Sequence, residues 1–338
     1  MNKLKKIASM QVFRTLAVLL CIFLINALLS KGEFFRIEIV DGHLYGRLVD
    51  IFRNGSKLMI LTLGMTMALA TGGTDISVGS VMAIAGAVAC TVIEGSLFPF
   101  FQGNTALAII CALCAGTLCG LWNGFLISKI QMQPIVATMI LMVAGRGIAQ
   151  LISDGRIVTI NNLSYYFING GYIFGIPFPL YLAFFLAFIV IFSIRKTAFG
   201  LYVESVGCNA AASRFAGINA SRIKIIIYSL SGFLAAVAGL IDSAGIKGAD
   251  SNNAGLLIEL DAILAVAIGG TSLSGGRFSF IASLIGALII QSITTSILSF
   301  GIRPEITQVV KALIVIIICL TQSPVFKSSF GKIKRGSV

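Results

Sequence analysis

Long apolar runs recur throughout this sequence and constrain its fold more than any other feature. Each run holds about 20 mostly uncharged residues, the length that a helix needs to cross the hydrocarbon core of a bilayer. Because lipid offers the backbone no hydrogen-bond partners, such runs are expected to be helical. We predict about ten membrane spans, at 14–31, 56–72, 77–95, 104–127, 134–152, 178–194, 223–243, 256–271, 278–299 and 305–322.

The composition supports an all-α polytopic membrane protein. Hydrophobic residues make up 57% of the chain and charged residues 11%, whereas a soluble domain carries about 25% charged residues. The 36 glycines suit membrane helices, in which small residues let backbones approach closely. The net charge of +12 is divided among short clusters between apolar runs. This distribution argues against a nucleic-acid interface.

The distribution of basic residues predicts the orientation of the chain. Lys and Arg concentrate in alternate loops when the N-terminus is placed in the cytoplasm, and most acidic residues then fall in the opposite loops. This is the bias described by the positive-inside rule. We therefore predict that both termini face the cytoplasm and that the number of spans is even. The basic start and the apolar run 15–30 are interpreted as a retained first span rather than a signal peptide.

Residue types that carry chemistry are sparse. His43, the only histidine, lies in a predicted outer loop with no metal or nucleophile partner in the sequence, and we expect it to be solvated. Cys111 and Cys114 form a C-x-x-C inside an apolar run without a second ligand pair, so we interpret them as packing residues. The chain contains no phosphate-binding G-x-x-x-x-G-K-[ST] loop. We predict no catalytic residue and no metal site, which disfavours a membrane enzyme.

A carrier driven by protons or sodium is a further alternative, because such carriers need an acid within the membrane. Glu259 and Asp261 lie two residues apart and therefore project from different faces of a helix. No acid has a partner at helical spacing that would indicate a proton relay. The pattern disfavours this alternative.

A glycine-rich octapeptide occurs twice, as a weak internal repeat. Residues 72–79 are GGTDISVG and residues 269–276 are GGTSLSGG, with five of the eight positions identical. Glycine-interrupted segments at matching places mark the pathway of many transporters, but a tight turn between packed helices explains the pattern equally well. We interpret Asp75 as a cap of the helix that begins near Ser77. The candidate pathway or hinge residues are Gly72, Gly73, Thr74, Asp75, Ser77, Gly269, Gly270, Ser272 and Gly275.

The predicted cytoplasmic loop 195–222 contains a short helix. Asn209 is a favourable N-cap, three alanines follow it, and Gly217 suits the left-handed position that ends a helix. A helix of two turns is too short to be stable in water on its own. It therefore needs a surface to pack on, either a partner protein or its own bundle.

Three motifs resemble those of the permease subunits of ribose-type ATP-binding-cassette (ABC) sugar importers. They are TGGTDISVGS at 71–80, GCNAAASRFAGI at 207–218, and the segment 259–276 that begins with ELDAI and ends with GGTSLSGG. The motifs occur in order, and the resemblance extends over nearly the whole chain. Thr74 stands where the galactofuranose-importing branch usually has Ile, but that branch is resembled at 41–46, 130–150 and 248–255.

The resemblance implies a permease with a single transmembrane domain over 1–338, located in the bacterial inner membrane. It implies an ABC ATPase subunit that binds ATP and Mg²⁺, a second related permease in a heterodimer, a periplasmic sugar-binding protein, and no cofactor on this chain itself. The cargo would be galactofuranose or galactose, with ribose or another pentose or hexose as the alternative. The cytoplasmic segment would couple to the ATPase through Gly207, Asn209, Ala211, Ala212, Arg214, Ala216 and Gly217.

Overall fold

A computed structural model describes residues 2–29, 33–40, 42–299, 301, 306, 308–314 and 316. The helices in this part of the chain are α1 (Asn2–Leu29), α2 (Arg47–Ala70), α3 (Val78–Glu94), α4 (Thr105–Ser128), α5 (Pro134–Ile152), α6 (Leu163–Gly170), α7 (Phe178–Lys196), α8 (Phe199–Cys208), α9 (Ala210–Phe215), α10 (Ala220–Ile246), α11 (Ile258–Ile268) and α12 (Phe280–Ser299). Six short strands pair as β1 (Glu38–Val40) with β2 (His43–Tyr45), β3 (Val158–Thr159) with β6 (Gly248–Ala249), and β4 (Tyr172–Ile173) with β5 (Ile176–Pro177). All three pairs are antiparallel.

The helices correspond to the predicted spans, with two differences. Five of them, α4, α5, α7, α10 and α12, are long and apolar enough to cross a membrane. The predicted span 256–271 is wrong in length, because α11 has only 11 residues. At 1.5 Å per residue it is about 16 Å long, roughly half of the hydrocarbon core. The last predicted span, 305–322, lies largely outside the described residues.

Local sequence signals explain where several helices begin and end. The side chains of Asn104, Asn162 and Asn219 each accept a hydrogen bond from the amide three residues later, at the starts of α4, α6 and α10. Such caps satisfy amides that have no partner within the helix. Pro134 is the first residue of α5, where its missing N–H costs nothing. Gly95 ends α3 in the left-handed conformation.

The bundle has two distinct ends. Helix α10 begins beside α9 at one end and leads into β6 at the other, so we call these the α9 end and the hairpin end. All six strands lie at the hairpin end. There the ring of His43 stacks on Tyr172 with ring centroids 4.3 Å apart, and its Nδ1 is buried without a partner. His43 is half-buried, because β2 packs against the hairpin of β4 and β5, so only part of the ring remains open to solvent.

Helix α3 lies at the centre of the bundle, and α4 and α10 form a very close pair beside it. Every residue of α3 from 78 to 93 is buried. Between α4 and α10, a Cβ at Gly120 would lie 3.0 Å from the Cα of Ser229, and a Cβ at Gly232 would lie 2.8 Å from the Cα of Gly120. Helices in lipid associate through such close packing, since there is no hydrophobic force between them. The α4–α10 contact therefore depends on glycine at both positions.

Gly120→Ala should lower the melting temperature of the detergent-solubilised protein, because the new methyl group meets the backbone of α10. Overpacking of this kind costs about 1–3 kcal/mol. Gly147→Ala in α5 is the matched control, since nothing lies within 4 Å of its Cβ position. That control should be neutral or stabilising by up to about 1 kcal/mol. Equal melting temperatures for the two variants would contradict the close packing of α4 and α10.

Candidate functional site

Three segments that are distant in the sequence meet at the α9 end of the bundle. The amide of Gly276 donates a hydrogen bond to the carbonyl of Ala70 over 2.8 Å. A Cβ at Gly207, near the end of α8, would collide with that same carbonyl. A Cβ at Gly275 would lie 2.8 Å from the carbonyl oxygen of Gly207 and 2.9 Å from the nitrogen of Gly72. We call this contact the glycine junction, formed by residues 70–73, 207 and 274–276.

The junction requires glycine for two reasons. Gly72, Gly275 and Gly276 have φ angles of 75°, 90° and 93°, a region that side chains disfavour. Gly207 is helical, and its restriction comes from the neighbouring backbone instead. Both copies of the octapeptide therefore contribute to one contact, and α8 closes it. The sequence predicted the repeat but not that the two copies touch.

Helices α8 and α9 extend from the junction as a short helical pair. The side chain of Asn209 accepts a hydrogen bond of 2.9 Å from the amide of Ala212, so the predicted cap is confirmed. Gly217 follows the helix with φ 82°, which confirms the predicted left-handed stop. Ala211, Ala212, Arg214 and Ala216 are exposed, and the side chain of Phe215 is 94% exposed. The pair thus presents an apolar tip away from the bundle.

Asp75 lies at the centre of a buried polar cluster between α3, α4 and α10. One carboxylate oxygen accepts hydrogen bonds from the amide (3.1 Å) and hydroxyl (2.6 Å) of Ser77, and the other accepts one from the hydroxyl of Ser231 at 2.7 Å. The amide of Asn123 donates to the Ser77 hydroxyl over 2.8 Å. Asp75 therefore caps the start of α3, as predicted. It also ties that start to two neighbouring helices, away from any aqueous interface.

The remaining repeat residues shape backbone turns. The carbonyl of Thr74 accepts a hydrogen bond of 3.3 Å from the hydroxyl of Thr138. Gly269 ends α11 so close to α12 that a Cβ would lie 2.7 Å from the amide nitrogen of Ser283. Gly270 has φ 76°, and the Ser272 hydroxyl accepts a hydrogen bond from the amide of Ser274. Gly73 lies against Pro134 and Tyr228. Of the nine candidates, Gly72, Gly73 and Gly275 belong to the glycine junction.

Turns precede α11, in the loop between the predicted spans 223–243 and 256–271 and in the first two residues of the second span. Residues 250–257 form turns that run beside α5 and reach the start of α3. Arg146 of α5 donates hydrogen bonds to the carbonyls of Ser251 (3.2 Å) and Ala254 (2.6 Å). These bonds give the two carbonyls of this irregular backbone a side-chain partner. Gly255 packs on Gly79, with a Cβ at Gly255 lying 3.0 Å from the Cα of Gly79.

Glu259, directly after these turns, is buried, and its Oε2 has no hydrogen-bond partner. A signal for these turns was present in the sequence, since Arg146 interrupts an otherwise apolar span. Among the described residues, no three His, Cys, Asp or Glu side chains are placed to hold a metal ion. The glycine junction, the Asp75 cluster and the contacts of Arg146 connect helices to the irregular segments between them. Within the described residues they form no group of side chains suited to catalysis.

Comparisons with known proteins place the chain in a transporter family. The sequence profile described as “Branched-chain amino acid transport system / permease component” matches residues 47–319. The chain belongs to this permease family.

Among similar permeases, the galactofuranose transporter permease YtfT of Escherichia coli K12 is 46% identical, over 93% of this chain and 90% of its own length. The fructose import permease FruF of Bifidobacterium longum is 40% identical, with 87% and 82% covered. The ribose import permease RbsC of E. coli K12 is 33% identical, with 92% and 93% covered. No solved structure matches the chain.

Membership of the permease family confirms the resemblance carried by the three motifs. The chain is a polytopic membrane protein and a transport component rather than an enzyme. Two of the motifs supply the turns of the glycine junction and the other supplies Gly207. The permease motifs are thus joined in space at the α9 end.

Gly207→Val should loosen α8 from the glycine junction, because its side chain meets the Ala70 carbonyl. A cost of about 1 kcal/mol increases the population of locally opened protein about fivefold. Trypsin added at the α9 end should therefore cleave at Arg214 about fivefold faster. Ala211→Val, on the exposed side of α9, is the control and should leave the rate unchanged. Equal cleavage of both variants would show that Gly207 does not hold α8 in place.

Proposed function

We propose that this chain is the membrane-spanning permease of an ATP-driven sugar importer of the bacterial inner membrane, working by alternating access. The observation that carries the proposal is the exposed α8–α9 pair, which is fixed to the glycine junction and ends in an uncovered phenylalanine. A helix of six residues has little stability of its own. Its fixed base and exposed tip suit a docking element for a second protein.

The partner at α9 would be the ABC ATPase, which binds ATP and Mg²⁺ while this chain holds no cofactor. The exposed residues of α9 and of the turn after it, Ala211, Ala212 and 214–217, would lie in a groove of that subunit. This places the α9 end, and both termini, in the cytoplasm, in agreement with the distribution of basic residues. The whole chain would act as one transmembrane domain.

Movement of α9 would reach the bundle through the glycine junction. Because the junction consists of backbone contacts, a displacement of α8 presses directly on the turns at 70–73 and 274–276. The first turn leads into α3, and the second lies between α11 and α12. ATP binding to the partner would therefore shift the centre of the bundle and its α11–α12 side together.

The cargo is proposed to be galactofuranose or galactose, because the permease YtfT is 46% identical to this chain over 314 aligned residues. Ribose or another pentose or hexose is the alternative, given the similarity to RbsC and FruF. A periplasmic binding protein would deliver the sugar at the hairpin end. A second related permease would complete a heterodimer, and lipid would cover the remaining apolar helix faces.

The energy source separates this proposal from a proton-coupled carrier. Cells that lack the partner ATPase gene should import no labelled galactose above background. An uncoupler applied while cellular ATP is held constant should leave import in intact cells unchanged. Import that survives loss of the ATPase but is abolished by the uncoupler would overturn the proposal.

Phe215→Ser should weaken docking of the ATPase, because it removes an aromatic anchor from the tip of α9. Loss of such an anchor costs about 2 kcal/mol, or more than tenfold in affinity. The measurement is co-purification of the ATPase with the permease in detergent, normalised to the amount of inserted permease. Phe174→Ser is the matched control, since Phe174 is 96% exposed at the hairpin end. Undiminished co-purification with Phe215→Ser would count against docking at α9.

A further inference from the structure

A polar cavity of about 680 Å³ opens between α2, α11 and α12. It lies towards the hairpin end, where α2 begins and α12 finishes. Its volume falls in the range of about 300–1,000 Å³ that is typical of small-molecule sites. Two carboxylates, two amides and two hydroxyls line it, from Asp50, Asp261, Asn54, Gln291, Thr295 and Ser299.

The polar lining follows helical spacing and is confined to part of each helix. On α2, Asp50, Asn54 and Lys57 lie four and three residues apart, which places them on one face. On α12, Gln291, Thr295 and Ser299 lie four residues apart. The α9-end half of α2, from Leu58 to Ala70, is buried throughout. A face turned to lipid would not carry these charges and amides, so the two stripes face an aqueous space.

Two ion pairs fix the charged groups around the cavity. Lys57 pairs with Asp242 of α10 at 2.6 Å, and Lys311 pairs with Asp261 at 2.8 Å. Both lysines are therefore neutralised, and Asp50 lies near Arg53, so the described lining offers no unpaired cation. An anionic ligand is disfavoured in such surroundings. A neutral ligand with many hydroxyls can donate to the carboxylates and accept from the amide groups.

Close packing of α2 on α12 positions the amide of Gln291. A Cβ at Gly55 would lie 3.4 Å from Cγ of Gln291, so the stem of this side chain lies against the α2 backbone. Its Nε2 donates a hydrogen bond of 3.1 Å to the hydroxyl of Thr295. The Gln291 amide and the Thr295 hydroxyl are thereby held together on the α12 wall of the cavity. Asn54 lines the α2 wall.

We propose that this cavity holds the sugar on its passage through the permease, with Asn54 and Gln291 as binding residues. The inference rests on the proposed function and deepens it by naming a place for the cargo. It also separates two regions of the chain, since the glycine junction lies at the α9 end and the polar stripes lie towards the hairpin end. Coupling and cargo binding are then carried by different ends of α2 and α12.

The test uses the complete importer, with its ATPase and binding protein, in proteoliposomes. Asn54→Leu and Gln291→Leu should each lower import of labelled galactose about tenfold, the loss expected when a sugar hydroxyl loses its hydrogen-bond partner in the cavity. ATP hydrolysis stimulated by the binding protein should stay within about twofold of wild type. Gln102→Leu changes an exposed glutamine outside the cavity and should leave both rates unchanged.

Thiol labelling provides a second readout that does not depend on transport. A membrane-impermeant maleimide added from the hairpin side should modify Asn54→Cys above the background of the native cysteines. Saturating sugar-loaded binding protein with ATP should slow that labelling. Leu118→Cys, on an exposed apolar face of α4, should stay unlabelled.

Different results would overturn the proposed function and the assignment of the cavity as the sugar-binding place. A wild-type complex that imports galactose, ribose and fructose no faster than empty liposomes would overturn the proposed function, and this inference with it. If the wild type imports sugar while both leucine variants import at its rate, the cavity is not the binding place. Absence of labelling at Asn54→Cys would overturn the aqueous cavity itself.

Discussion

Backbone N–H and C=O groups in the hydrocarbon core of a bilayer have no water to form hydrogen bonds with, so the protein itself must supply their partners. Two interruptions of the helices show how this chain supplies them. Where α2 ends at Ala70, its carbonyl accepts a hydrogen bond from Gly276 in the turn after α11. Where the chain before α11 is irregular, Arg146 supplies the bonds to Ser251 and Ala254. Each interruption is therefore held by a partner from another segment, the first by the turn after α11 and the second by α5. This dependence links distant parts of the sequence into one arrangement.

The same dependence gives the permease a route for mechanical coupling. A short helical pair that is too small to be stable alone is attached through Gly207 to the two turns of the junction. From there α3 leads into the buried centre, while α11 and α12 lead to the polar cavity lined by Gln291 and Asp261. Asp75 fixes the start of α3 to α10 through Ser231. In the proposed mechanism, a displacement of α9 would reach the far end of the bundle along this route.

Much of this arrangement is predictable from local sequence, because local rules produce it. Apolar length predicts the helices, and the Asn209 cap and Gly217 stop predict α9. Contacts between segments with no local relation to each other are not predictable in this way. The meeting of Gly72, Gly207 and Gly275 depends on how whole helices pack. For the same reason the short α11, the hydrogen bonds from Arg146 to the turns before it, the stacking of His43 on Tyr172 and the polar cavity all required the structure.

The central claim is that the glycine junction stays closed while α9 transmits movement. Native Cys208 allows a direct measurement, because a Cβ placed at Gly276 lies 3.2 Å from its sulfur. In a Gly276→Cys variant, mild oxidation should join the two cysteines across the junction. The account predicts that sugar import by the reconstituted complex is the same in the oxidised and the reduced variant. Import that stops on oxidation and returns with a reductant would show that the junction opens in each cycle and would contradict the claim.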